Sequence, residues 1–418
     1  MVTKILNFKF ILLLFLLLLI RFFYATKGIK ESERLLKSIP DAAEYHALAV
    51  NLSLGEGFKR DGDFETVRTP LLPLLLSLFY KFNPSVFINF YLNILFSILI
   101  LIYAYNNLRG KSFYFFSLFF IFSPNLNFNS LFPTADFLFG VLVFFLYASI
   151  IKQKLFFIIL ILSLLPYLKP VGLLLPPVIS LYFLLKKSFK HALFVLILPT
   201  FISFFWVINV YIKTGYFGFS GIVPVNFFAY YVPFAVSLKD KISFSEAREK
   251  LSEKLTKRLP PNYKVKDLYY AMLSLSFDEL KGTFPSFLVS HTIFSLNTLF
   301  SPISFRPLIV YLRGEEIKKP FQQEFFKLLL SGNFLEGFRK FFSERIALFG
   351  LDGLLILFFS LFYNSTLILL FLCKALKKRE EFFLIFLILF PLIFSTGVLG
   401  EARFRVLFEI LLIYFTFI

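Results

Sequence analysis

The chain has 418 residues, 58% of them hydrophobic, with 65 Phe and 20 Tyr against a single Trp, and a mean hydropathy of +0.77. A soluble domain of this length neither buries nor exposes apolar side chains in such proportion, so composition excludes a soluble globular protein and predicts an all-α polytopic membrane protein. The formal net charge of +18 therefore does not argue for nucleic acid: much of it sits in short loops, where Lys and Arg set topology.

Lys4 and Lys9 precede the apolar run Ile11–Ile20, which predicts a first span over about 7–24. Its exit, Arg21-Phe22-Phe23-Tyr24, is not a small-x-small cleavage site, so the segment reads as a retained anchor. Segment 25–84 follows. Within it, Pro40-Asp41 with Glu44 has the spacing of a capping box, Asp41 capping a helix and Glu44 reaching back. The same two carboxylates, one turn apart, have the spacing to divide acid and base roles or to hold a divalent cation. Residues 70–84 are apolar, bracketed by Pro70, Pro73 and Pro84, and too short to cross, which predicts an interfacial helix.

Basic clusters recur after alternate spans: Lys4/Lys9, Arg109/Lys111, Lys152/Lys154, Lys186/Lys187/Lys190 and Lys374/Lys377/Lys378/Arg379. Placed inside, they predict about ten spans: 7–24, 85–106, 112–124, 133–151, 155–168, 170–185, 190–212, 350–373, 381–397 and 403–418. Both termini are then inside, at a cell (inner) membrane, and 25–84 and 213–349 are outside. The last predicted span runs to about 418, so no C-terminal soluble domain is expected. Breaks at Ser123-Pro124, Pro166 to Pro170, Pro176-Pro177 and Pro199 predict kinked packing helices or the walls of a cavity. Asp136 opens a span, where it serves either the helix N-terminus or a site. Lys169, in L-P-Y-L-K-P, lies between two spans, as an interface anchor or a phosphate ligand.

In 213–349, residues 242–258 carry Ala247, Leu251 and Leu255 at helical spacing and predict a surface helix. Segments 262–300 and 320–347 repeat the amphipathic theme, so this region is expected to lie across the outer face and not to form a separate domain. Glu401 is placed to pair with Arg403 or Arg405. His46 and His291 read as polar packing. The one cysteine, Cys373, excludes an intrachain disulfide, and the three histidines show no zinc-type spacing.

D-x-x-x-Y (Asp41, Tyr45), A-x-N-L-x-x-G-x-G-F (Ala49 to Phe58) and R-T-P-x-x-P (Arg68 to Pro73) together resemble the N-terminal signature of the polytopic GT-C glycosyltransferases. The likeness is to the bacterial branch similar to protein mannosyltransferases and to the aminoarabinose transferase of lipid A. Trp206 to Ser220 resembles that family's exit from a span into the second outside segment, and Gly400 to Arg405 the basic motif opening its late span. Ile208 departs from the pattern, standing where the family usually has Arg. The resemblance implies a GT-C-like fold treating 1–418 as one unit. It implies a hexosyl- or pentosyltransferase that moves a sugar from a polyprenyl phosphate to a lipid, glycan or protein hydroxyl at the outer face.

On that resemblance Asp41 is the general base, with Glu44 assisting. A lipid phosphate leaving group needs positive charge, and Arg68, Arg403 and Arg405, all at the outer interface in the predicted topology, are its candidate cations together with Lys169, with Tyr45, Asp136 and Glu401 supporting. No nucleotide-binding loop, dinucleotide fingerprint or Ser/His/Asp order is present in the sequence. A transporter or flippase of lipid-linked sugars is the first alternative and predicts charge at mid-bilayer depth and related halves. A glycan ligase or polymerase is the second and places its large outside loop later in the chain.

Overall fold

The computed structural model describes residues 8–30, 32–85, 87–313, 328 and 332–418. It is 82% helical, as an all-α chain requires. Five helices among the described residues are long and apolar enough to cross a membrane: Phe8–Thr26, Phe87–Asn107, Phe189–Thr214, Ile222–Asp240 and Gly353–Lys377. The fourth falls inside the segment expected outside. It is continuous only through a π turn at Phe227–Tyr231, and half of it is buried against the rest of the protein. Shorter apolar helices occupy several of the other predicted spans.

The chain opens with α1 (Phe8–Lys30), α2 (Ser32–Ser38) and α3 (Pro40–Ser53). A two-stranded hairpin follows, β1 (Lys59–Arg60) against β2 (Asp63–Phe64), pairing Arg60 with Asp63. Its turn is Asp61-Gly62, both at positive φ (54° and 91°), the geometry that Asp-Gly favours in two-residue hairpins. Then comes α4 (Leu71–Tyr80), ten residues and too short to cross. Leu72, Leu76 and Tyr80 line its buried stripe, while Leu74 and Leu78 stay exposed.

The bundle continues with α5 (Phe87–Asn107), α6 (Lys111–Phe122), α7 (Pro124–Asn129), α8 (Asp136–Ile151), α9 (Leu155–Leu168), α10 (Leu175–Leu185) and α11 (Phe189–Thr214). The predicted breaks at Ser123-Pro124 and Lys169-Pro170 are realised, whereas Pro199 lies within the continuous helix α11. Ser123 ends α6 and caps α7, its hydroxyl accepting from the Leu126 amide. Lys169, preceding Pro170, is forced into extended backbone (φ −151°, ψ 137°), which ends α9 and starts a 3₁₀ turn over Pro170–Leu174.

Segment 213–349 holds α12 (Ile222–Asn226), α13 (Val232–Asp240), α14 (Phe244–Arg258), α15 (Val265–Phe300) and α16 (Phe305–Arg313). Ala247, Leu251 and Leu255 are the buried residues of α14, as their spacing predicts. A capping box opens it, Ser243 bonding the Glu246 amide and Glu246 the Ser243 amide. The amphipathic stretch expected over 320–347 lies partly outside the described residues. Helix α17 (Phe334–Lys377) changes direction at Gly350 (φ 61°), where the sequence places the start of a span. Helices α18 (Arg379–Phe394) and α19 (Ala402–Phe417) complete the chain.

Helix α19 is almost entirely buried and packs closely on α8. At the crossing, a Cβ on Gly140 would meet the Val406 carbonyl oxygen at 2.3 Å, so only glycine allows the approach. One turn earlier on each helix stand Asp136 and Arg403, and the close crossing sets them against each other.

Candidate active site

Helix α3 starts on Ile39, in extended backbone, with Pro40 in the first turn. No side chain caps it, and the Ala42 and Ala43 amides bond instead to the Ile39 carbonyl. The capping box expected of Asp41 and Glu44 does not form. Guanidinium groups hold both carboxylates, and such charge-assisted bonds are stronger than a cap.

Those bonds are part of a longer chain of ion pairs. Glu65 meets Arg60 at 3.2 Å, and Arg60 also pairs with Glu44. Glu44 pairs through its other oxygen with Arg68, and Arg68 reaches Asp41 at 2.7 Å. The second oxygen of Asp41 takes Arg403, which meets Asp136 at 2.8 Å. Asp136 pairs through its remaining oxygen with Lys169. Four carboxylates thus alternate with four cations drawn from five separate stretches of sequence. Asp41, Glu44 and Asp136 each spend their two oxygens on two different cations.

Local structure explains each position. The Asp-Gly hairpin turns Arg60 back toward α3. Glu65 accepts from the Val67 and Arg68 amides, fixing the loop before Arg68. The break at Lys169 frees the Leu168 carbonyl, which accepts the Thr69 hydroxyl at 2.6 Å and the Tyr45 hydroxyl at 3.4 Å. Segment 213–349 closes the other side: Gly221 N–H donates to the Thr66 carbonyl at 2.8 Å, the Ser220 hydroxyl to the Val67 carbonyl at 2.7 Å, and Tyr269 meets Thr66 at 2.6 Å. Phe404 lies under two of the cations, 5.0 Å from Lys169 and 5.5 Å from Arg403.

Exposure varies along the chain, greatest at Arg60, Glu44 and Asp41 and lost again at Glu65, which is 3% exposed. Asp136 is fully buried, the Asp41 and Glu44 side chains are 23% and 24% exposed, and Asp61 beside Arg60 is 94% exposed. The site therefore opens at its Arg60 end. Burial alone would push the Asp41 carboxyl up, but Arg403, Arg68 and Lys169 outweigh it and hold the group well below the usual carboxylate range. Burial pushes the Tyr45 hydroxyl up to about 12, so it stays a neutral donor.

The structure brings together Asp41, Glu44, Tyr45, Arg68, Asp136, Lys169 and Arg403. It does not bring Arg405. Residues two apart on a helix face away from each other, and Arg405 turns to the opposite side of α19. There it pairs with Glu409 at 3.0 Å and donates to the carbonyls of Leu299 and Ser301 at 3.0 and 2.7 Å. Glu409 accepts in turn from Ser123 and Asn125. Glu401, in extended backbone, immediately precedes α19. Arg403 takes Asp41 and Asp136, and Arg405 takes Glu409. His46 contacts the Tyr80 hydroxyl at 2.9 Å and His291 the Phe394 carbonyl at 2.7 Å, both packing roles.

Sequence reasoning missed Arg60, Glu65, Glu409 and Arg21. The Asp-Gly pair between Arg60 and Asp63 was the available signal for the first two. Arg21, fully buried in α1, donates to the Leu126 carbonyl at 2.7 Å and sits 5.2 Å from the Phe137 ring. Among the described residues no group of three or more His, Cys, Asp or Glu is arranged to hold a metal. A divalent cation at Asp41 and Glu44 would have to displace Arg60, Arg68 and Arg403.

Comparison of the chain with protein-family models, with curated proteins and with solved structures finds no match.

Proposed function

We propose that the chain is a membrane glycosyltransferase of the GT-C type. It moves a sugar from a polyprenyl phosphate to an acceptor hydroxyl, with Asp41 as general base. The observation that carries this reading is the convergence of Asp41 with Arg68, Arg403 and Lys169 in one ion-pair chain that is partly exposed at Asp41 and Glu44. A phosphate diester leaving group needs concentrated positive charge, and an attacking hydroxyl needs a base beside it. In the step, the acceptor oxygen bonds to the sugar carbon and its proton passes to an Asp41 oxygen. The bond from sugar carbon to phosphate oxygen breaks, and its electron pair leaves with the lipid phosphate. Arg68, Lys169 and Arg403 hold the phosphate, Glu44 and Asp136 orient those cations, and Tyr45 fixes the loop bearing Arg68.

This reading goes with about ten spans, both termini inside the inner membrane, and the site outside. Full-length protein in liposomes, supplied with a panel of polyprenyl-phosphate sugars and lipid, glycan or protein acceptors, is expected to release polyprenyl phosphate. No consumption of any donor overturns the reading. Labelling of Asp61→Cys from outside and Lys187→Cys from inside tests the topology, and the reverse pattern overturns it.

One observation favours a second reading, a transporter or flippase: Arg21, Arg405 and Glu409 are fully buried among apolar helices. Movement of a labelled polyprenyl-phosphate sugar across the bilayer without cleavage would support it. The arrangement weighs against it, since protein carbonyls and amides already occupy Arg405 and Glu409.

A further inference from the structure

One set of cations faces two claims. Asp41 gives its Oδ1 to Arg68 and its Oδ2 to Arg403. A carboxylate gripped on both oxygens is a poor proton acceptor. The same two guanidiniums are those assigned above to the donor phosphate, so base and phosphate compete for one cradle. Arginine forks match phosphate oxygens as well as carboxylate oxygens, and a phosphate group brings an extra negative charge into a cluster that is already neutral.

The structure also indicates which carboxylate yields. Asp136 is fully buried, and releasing it would strand a charge in the core. The Asp41 side chain is 23% exposed, and Glu44, one turn further on, is 24% exposed. Asp41 alone both touches the two shared guanidiniums and has an open side to turn toward.

We propose that the resting site is self-neutralised: Asp41 occupies the phosphate cradle until an entering phosphate group displaces it from Arg68 and Arg403, which releases it as a free base. This inference rests on the glycosyl-transfer reading. Its consequence is an order: the phosphate-bearing donor binds before the acceptor is activated, and hydroxyls that enter alone meet no competent base. After transfer Asp41 carries the acceptor proton, passes it to water on the exposed side, and re-pairs with the guanidiniums when the lipid phosphate leaves.

The test is binding of a short-chain polyprenyl monophosphate to the full-length protein in detergent. Polyprenol serves as the uncharged control and inorganic phosphate as the lipid-free one. Removing the internal competitor by Asp41→Asn is expected to tighten polyprenyl monophosphate about tenfold, the lower end of what a charge-assisted bond contributes. Glu44→Gln frees one edge of Arg68 and is expected to tighten binding by a smaller factor, which keeps the test decisive if Asp41→Asn does not fold. Tightening toward inorganic phosphate as well assigns the recognition to the phosphate group alone; tightening restricted to the lipid assigns it to the whole headgroup. Either supports the exchange. Wild-type binding with unchanged or weaker binding in both variants overturns the exchange and leaves the functional reading standing. Failure of wild type and variants alike to bind polyprenyl monophosphate overturns both.

Discussion

Arg403 and Arg405 stand two residues apart on one helix, in opposite surroundings. Arg403 sits between Asp41 and Asp136 in a chain of ion pairs that runs out to the exposed Arg60 hairpin. Arg405 is sealed against Glu409, with the carbonyls at the end of α15 filling its remaining donors. Each oxygen of Glu409 has an additional donor, Ser123 or Asn125. Both are buried salt bridges, and burial alone does not separate structure from function. What separates them is access and competition. The Arg405 pair has nothing left to bind, whereas Arg403 and Arg68 share the partly exposed carboxylate of Asp41, which the proposed exchange would replace with another anion.

The largest expected effect falls on activity. If Asp41 is the base of the proposed transfer, Asp41→Asn is expected to lower that transfer roughly 10²- to 10⁴-fold, the range for a positioned general base. The unfolding temperature in detergent should fall at neutral pH, but by less than for Arg405→Gln, because asparagine keeps the volume and one acceptor and the Asp41 side chain is partly exposed. Turnover near wild type would remove Asp41 from the chemistry and erase the proposed difference between the two arginines. On the other side of α19, Arg405→Gln strands Glu409 in the core and is expected to cost about 3–5 kcal/mol of stability. The readout is loss of monodisperse protein or a lowered unfolding temperature. A stable Arg405→Gln with selectively weakened donor binding would reverse the assignment and return Arg405 to the site.

Much of this contrast was legible in the sequence, and the reasons for the rest are physical. The break at Lys169-Pro170 follows from proline sterics, and the buried stripe of α14 from the spacing of Ala247, Leu251 and Leu255. Asp41, Arg68, Lys169 and Arg403 were nominated from motif and position. Their pairing was not legible, because it depends on a close crossing of α8 and α19 at Gly140, which no local pattern announces. Asp41 looked like a cap because its spacing to Glu44 fits one; long-range guanidiniums overrode that local preference. Arg403 and Arg405 read as a single basic motif, yet the helical rotation between them sends one to each side. Ile222–Asp240 has the apolarity of a span but lies in a segment read as outside.

The pH response sharpens the comparison further. The Asp41 pairing depresses that carboxyl in the folded state. Its contribution to stability is therefore fully present above the ordinary carboxylate value of about 4 and is lost only as pH falls below it. Between pH 5 and 8 this site should leave unfolding temperature unchanged. Melting curves of wild type and Asp41→Asn should run parallel over that range and converge in stronger acid. A difference between them that appears only above pH 6 would mean that another group, and not Asp41, controls the site.

The smallest expected effect lies at the open end. Gly62 sits at φ 91° in the hairpin turn, with nothing within 4 Å of where a Cβ would stand. Gly62→Ala therefore meets no clash and pays only backbone strain, about 1–2 kcal/mol for a side chain held in left-handed geometry. The strain falls on a two-residue exposed hairpin, and local loosening there relieves it before it reaches the bundle. Global melting should shift by little. Arg60, however, loses its fixed approach to Glu44 and Glu65, and Glu44 then holds Arg68 alone. Within the exchange mechanism Glu44 then competes harder with an entering phosphate for Arg68, so polyprenyl monophosphate should bind a few-fold more weakly in Gly62→Ala. Trypsin cleavage after Lys59 or Arg60 should quicken in the same variant. Faster cleavage with unchanged binding would show that the ion-pair chain acts only as far out as Glu44, and that the Arg60 hairpin belongs to the scaffold.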